Sequence, residues 1–183
     1  MKKIIRMIGE EVVSVLSKID EEEALMVSTL LNKSKRIFVY GDGRSGLMGK
    51  AFAMRLMHGG YTVYVVGETI TPSIEEDDLL ILISGSGSSD MMYDFAKKAW
   101  NIGGNVILIT TNRDSKIASV SHHVLVIPAA TKYRRKVEPE TIQPLGNQFD
   151  QSVHLVLDGI IIHSLQMNET LAQDMLKRHA NLE

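Results

Sequence analysis

Five short apolar runs alternate along the chain with stretches of helical periodicity: Arg36-Ile37-Phe38-Val39-Tyr40, Thr62-Val63-Tyr64-Val65-Val66, Leu79-Leu80-Ile81-Leu82-Ile83, Asn105-Val106-Ile107-Leu108-Ile109-Thr110 and His123-Val124-Leu125-Val126-Ile127. Runs this short and this apolar read as buried strands of a parallel sheet. Strands separated by helices imply right-handed crossovers. The pattern predicts an α/β fold: a doubly wound, five-stranded parallel sheet, flavodoxin-like, flanked by helices that cover both faces.

Between the runs, apolar residues recur at helical spacing. Ile5, Ile8, Val12, Val15, Leu16 and Ile19, then Ala24, Leu25, Val27, Leu30 and Leu31, predict two amphipathic helices within residues 2–33. Helices are also predicted over 45–58 with a stop at Gly59-Gly60, over 90–102, briefly around 116–120, over 146–167 and over 168–178. Residues 129–145 show no periodicity, which is long for a connection inside one domain and suggests a lid or a subunit contact.

At 183 residues and 44% hydrophobic content the chain suits one domain, 1–183, with a helical N-terminal extension over about 1–35. Twenty basic residues against 22 acidic ones give a formal charge of -2. That balance offers no general attraction to nucleic acid or an anionic membrane and favours a small-molecule partner. With no cysteine there is no disulfide framework, and a cytoplasmic protein is the default expectation. Gly9-Glu10-Glu11 interrupts the basic start before a signal-peptide core forms, and no uncharged stretch reaches the ~20 residues of a membrane helix.

Two Gly/Ser loops follow buried runs and lead into helices: Gly41-Asp42-Gly43-Arg44-Ser45-Gly46 and Ser84-Gly85-Ser86-Gly87-Ser88-Ser89. Glycine frees backbone N–H groups to turn toward an anion at a helix N-terminus, and serine adds hydroxyl donors. Taken singly, either loop is equally well a tight turn with an N-capping serine; their coincidence favours a bound phosphate. Gly41-x-Gly43-x-x-Gly46 also fits the dinucleotide fingerprint, with Glu68 as the ribose acid, but Arg44 at the tight turn argues against it. If the first and third strands are neighbours, both loops edge one crevice.

The second loop resembles the phosphosugar-binding loop of the sugar isomerase (SIS) domain family. Gly43-Arg44-Ser45-Gly46, residues 51–58, Gly67-Glu68-Thr69-Ile70-Thr71-Pro72 and Ile142-Gln143-Pro144-Leu145-Gly146 resemble the 6-phospho-3-hexuloisomerase branch, in order, from about residue 37 to 183. Asp42 stands where a small residue is usual, and Asp150 where relatives carry glutamate. The resemblance implies isomerisation of 3-hexulose 6-phosphate and fructose 6-phosphate by proton transfer through an enediol, with no cofactor. It also implies a homo-oligomer, with a tetramer favoured, in formaldehyde assimilation by the ribulose monophosphate pathway or in pentose-phosphate supply. A phosphosugar-sensing module and an isomerase of another phosphosugar, such as arabinose 5-phosphate, are the rival readings.

On that resemblance Asp150 is the candidate base, while His58 and His179 are candidate proton-transfer residues, His179 from a neighbouring subunit. Gly43, Arg44, Ser45, Ser84, Ser86 and Ser89 are the candidate substrate ligands. Each catalytic candidate has a plainer reading. Asn147 and Asp150 have the spacing of a capping box, His58 suits a helix C-terminus, and His179 lies in a polar tail. His154 and Asp158 read as a local polar stripe. His122-His123 point to opposite faces and do not share a metal, so no metal site is expected. The basic run over 132–136 reads as a solvated loop.

Overall fold

The five apolar runs pair as one parallel sheet in the computed structural model, which describes residues 1–169 and 172–182. The elements are α1 (Lys2–Leu16), α2 (Glu21–Lys33), β1 (Ile37–Gly41), α3 (Gly43–Gly59), β2 (Val63–Val65), β3 (Leu79–Ile83), α4 (Asp90–Ile102), β4 (Asn105–Thr110), β5 (His123–Val126), α5 (Asn147–Met167) and α6 (Ala172–Lys177). Strand order is β2-β1-β3-β4-β5, so β1 and β3 are neighbours, with Gly41 opposite Ile83 at their carboxyl ends. Strand order reverses there, which is where open α/β sheets place their ligands.

Pleating divides the strand residues between two cores. Ile37, Val39, Leu79, Ile81, Ile83, Ile107 and Ile109 face Val27 and Leu31 of α2, Phe52 and Leu56 of α3, and Phe149, Val153 and Leu157 of α5. Phe38, Leu80, Leu82, Val106 and Leu108 face Met92, Ala96 and Ala99 of α4 together with Ile117. All five residues of β3 are buried, and each such side chain contributes about 1.5–3 kcal/mol relative to exposure.

The second face departs from the expected cover. Residues 66–78, between β2 and β3, contain no helix, so beside α4 only a loop lies over β1 and β2. Pro72, Ser73 and Ile74 instead line an apolar groove with Phe38, Leu80 and Phe95. The short helix expected around 116–120 is a 3-10 turn, Ala118–Val120. Within the predicted 168–178 helix, α6 occupies 172–177, and residues 170 and 171 lie outside the described chain.

Residues 129–145 are irregular, as their lack of period predicts, but they are firmly tied. The Arg134 guanidinium donates to the carbonyls of Thr131 (2.6 Å), Leu145 (2.9 Å) and Gln143 (2.5 Å). The Glu138 carboxylate accepts from the backbone N–H and the hydroxyl of Thr131. From α1, the Glu11 carboxylate accepts from the Thr141 hydroxyl (2.5 Å), the Ile142 N–H (2.9 Å) and the Gln143 amide (3.0 Å). Burial works against the Glu11 charge, yet these donors hold its carboxyl below the usual glutamate range.

Candidate active site

Both Gly/Ser loops open on one crevice of about 490 Å³, bounded by the ends of β1 and β3, the start of α5 and the strap of residues 131–133. That volume is in the range of small-molecule sites.

The first loop owes its shape to a close backbone crossing. A Cβ on Gly46 would overlap the carbonyl oxygen of Gly41, so the first turn of α3 presses directly against the end of β1. Arg44 and Ser45, on that turn, line the crevice. Gly43, with φ +53°, begins α3 between them and Asp42.

In the second loop the glycine requirement is steric as well as conformational. Gly87 has φ +64°, and a Cβ there would overlap the Ser115 hydroxyl. Ser84 is buried and accepts from the Gly87 N–H at 3.1 Å, which leaves its own O–H free to donate. Ser86 and Ser88 share a hydrogen bond of 2.8 Å. Ser89 is otherwise engaged: it is the N-cap of α4, accepting from the Met92 N–H, and its hydroxyl donates to Asp42 at 3.1 Å. With its single proton committed to Asp42, Ser89 ties the two loops together, a structural task that the sequence reading did not foresee.

Asp150 reaches the crevice from the first turns of α5. The capping-box reading is not realised, because the N-cap of α5 is Gly146, no side chain caps it, and Asn147 is already helical. The Asn147 amide oxygen instead accepts from the Arg44 guanidinium, whose Nε lies 3.0 Å from Asp150 Oδ2. The ion-pair contact lacks hydrogen-bond geometry, so this buried carboxylate oxygen has no hydrogen-bond partner. Only 14% of the Asp150 side chain is exposed, and burial pushes its carboxyl above the ordinary aspartate range against the opposing pull of Arg44. The product is a carboxylate with raised basicity and an open lone pair beside a cation.

The strap adds residues that the sequence reading assigned to solvent. Lys132 and Tyr133 line the crevice, and Thr131 packs near the position a Gly85 Cβ would take. Lys132 Nζ sits 5.1 Å from the Tyr133 ring centroid and has no ion pair among the described residues. Phe149 forms an apolar wall behind Gly85. A basic run does not reveal which of its members face inward; that depends on the turns that Arg134 holds.

His58 and His179 come together, but not at this crevice. Their rings stack with centroids 5.2 Å apart near the carboxyl end of α3, where Arg178 donates to the His58 carbonyl. The intervening length of α3 is about 20 Å at 1.5 Å per residue, so within one chain the pair is remote from Arg44. His154 and Asp158 lie 3.7 Å apart on α5, with Arg55 Nε 3.1 Å from Asp158. Glu68, the acid a dinucleotide site would use, is paired with Lys50 at 3.5 Å and does not line the crevice. His122 stacks on Trp100 at 3.9 Å.

A parallel sheet whose reversal point carries two hydroxyl- and N–H-rich turns facing a buried acid defines an α/β domain with a site suited to a small anionic ligand. Residues 30–139 match the SIS domain, and the chain belongs to that family. It is 38% identical over 165 residues to the 3-hexulose-6-phosphate isomerase of Bacillus subtilis, covering 90% of this chain and 89% of that protein. It is 41% identical over 150 residues to the 3-hexulose-6-phosphate isomerase of Methanocaldococcus jannaschii, covering 82% and 78%. A Methanococcus jannaschii crystal structure, from which a molecular function of 3-hexulose-6-phosphate isomerase was inferred, superposes with a TM-score of 0.85 at 33% identity, covering all of both chains.

Proposed function

We propose that this protein is a sugar-phosphate isomerase that interconverts 3-hexulose 6-phosphate and fructose 6-phosphate. The observation that carries the proposal is Asp150: a largely buried carboxylate of raised pKa opening into the crevice that both Gly/Ser loops edge. A module that only sensed a phosphosugar would have no need of an acid so poorly solvated.

The Ser84–Ser88 turn holds the phosphate through backbone N–H groups and the hydroxyls of Ser84 and Ser86, with Lys132 supplying counter-charge from the strap. Gly43 and Ser45 present the first turn of α3 to the sugar. Anchoring the phosphate fixes the position of the carbons, which is worth several powers of ten in rate. Asp150 removes the proton from carbon 2 of the 3-ketose. The electron pair forms the carbon 2–carbon 3 double bond, and the carbon 3 oxygen takes up a proton to give the enediol. The same carboxyl then returns its proton to carbon 3 as the carbon 2 hydroxyl loses its own, which leaves the carbonyl on carbon 2. Arg44, already beside Asp150, stabilises the negative charge that builds on the two oxygens.

His58 and His179 serve this chemistry across a subunit boundary, reaching a neighbour's crevice to shuttle the proton between the two oxygens. Exposed Ile5 and Val13 on α1 and Leu155 and Ile162 on α5 support a homo-oligomer, a tetramer in the cytoplasm on this reading. There it would use the hexulose phosphate formed from formaldehyde and ribulose 5-phosphate, or run in reverse to supply pentose phosphate. The test is direct: purified protein supplied with 3-hexulose 6-phosphate should form fructose 6-phosphate, and failure to convert that substrate in either direction ends the proposal.

A further inference from the structure

Asp42 occupies the N-cap position of α3 without capping it. An aspartate there ordinarily accepts from the first-turn N–H groups. Here Oδ1 accepts from the Tyr40 hydroxyl at 2.9 Å and Oδ2 from the Ser89 hydroxyl at 3.1 Å. These two donors, one from each side of the β1–β3 seam, turn the carboxylate into the crevice, which it lines. Burial and the adjacent Asp42 both push the Tyr40 phenol upward, so it stays a donor. Each carboxylate oxygen keeps a second lone pair. Asp42 also has no cationic partner among the described residues, whereas Asp150, the other acid of the crevice, is paired with Arg44.

A crevice that binds an anion would gain nothing from an unpaired carboxylate unless the carboxylate selects among anions. Hydroxyls can donate to it; a second phosphate or a sugar carboxylate offers only acceptors and negative charge. We propose that Asp42 is a specificity-determining residue, accepting a hydroxyl from the substrate and rejecting ligands with a second anionic group, so that the crevice takes sugar monophosphates over sugar bisphosphates. The inference rests on the phosphosugar reading above and deepens it. A dianion about 8 Å from a unit charge in a solvent-like medium corresponds to roughly fivefold in affinity.

Calorimetric titration with fructose 6-phosphate and fructose 1,6-bisphosphate tests it on the wild type, Asp42→Asn and Asp42→Glu. The wild type should prefer the monophosphate. Asp42→Asn should shift the ratio of the two affinities about fivefold toward the bisphosphate, and the shift should shrink as salt is raised, since exposed charges are screened. Asp42→Glu should retain the wild-type preference. A merely structural tie between the loops would weaken both ligands equally in Asp42→Asn, and that result, or an unchanged ratio, overturns the inference. If the wild type binds neither sugar, the phosphosugar reading falls with it; if it binds the monophosphate and the ratio does not move, only the role of Asp42 falls.

Discussion

Arg44 Nε lies 3.0 Å from Asp150 Oδ2, joining the first turn of α3 to the first turns of α5 across 106 positions of sequence, 150 − 44. The pairing brings a cation to an acid that burial has made more basic. Both side chains line the crevice that the two Gly/Ser loops edge. What each contributes can be separated by experiment.

Replacing Asp150 by asparagine should lower kcat by a factor of about 10²–10⁴, the usual range for loss of a general base. It should also stabilise the fold at neutral pH. The folded-state pKa of this carboxyl is raised above its unfolded value, so its stabilising contribution is complete below the unfolded pKa and is lost as pH rises through the folded one. Above that window the ionised wild-type group is a liability that asparagine lacks. Thermal unfolding from about pH 4 to pH 8 should show the variant gaining on the wild type as pH rises; a constant difference would contradict the burial argument.

The acid limb of the kcat/KM profile should sit above the ordinary aspartate range, because the base must be ionised and its pKa is raised. Arg44 opposes that rise. In Arg44→Met the limb should move to still higher pH while kcat falls, and a downward shift would show that the guanidinium is not the charge Asp150 senses.

Gly87→Ala adds a methyl where the Ser115 hydroxyl already lies and imposes φ +64° on an L-residue. Left-handed backbone costs ~1–2 kcal/mol and overpacking a similar amount. For a chain of this length a total near 3 kcal/mol lowers Tm by about 6–12 °C. Combining it with Ser115→Gly should recover the packing part but not the backbone part, so the double variant should melt between Gly87→Ala and the wild type.

If His179 acts in a neighbour's crevice, Asp150→Asn and His179→Ala should complement each other. Each alone should be nearly inactive, whereas a co-refolded mixture should regain activity, because some crevices then draw an intact acid and an intact imidazole from different chains. Absence of recovery in mixed oligomers would show that His179 does not act in a neighbour's crevice, and full activity of His179→Ala alone would place it outside the reaction.

The five strands were legible because buried parallel strands are apolar throughout, whereas the neighbourhood of β1 and β3 stands only as a condition until the sheet order supplies it. The connection over 66–78 shows no helical periodicity and forms no helix, although strand-helix alternation suggests one at every crossover; what could not be read was that its loop would help cover β1 and β2. At the site, the two Gly/Ser loops could be read from their place after buried runs, a local feature, whereas Asp150 is singled out by the family resemblance and the local spacing points instead to a cap that does not form. The partners of Arg44, the commitment of Ser89 to Asp42 and the place of Lys132 on the crevice rim could not be read, because each depends on contacts between segments that only folding brings together. Asn147 shows the limit most clearly. Its residue type suits an N-cap, yet a guanidinium from α3 engages it first.

The tether from Glu11 to residues 141–143 gives the first helix a stake in the wall of a crevice whose acid lies near the far end of the sequence. The recognisable SIS portion, 30–139, contains neither that anchor nor Asp150. Excised, it would keep both Gly/Ser loops but lose Asp150, the base of the proposed reaction, and the mooring of the strap above the crevice. On the proposed reaction, the stretch that carries the family pattern would hold the substrate and the helices flanking it would complete the catalyst.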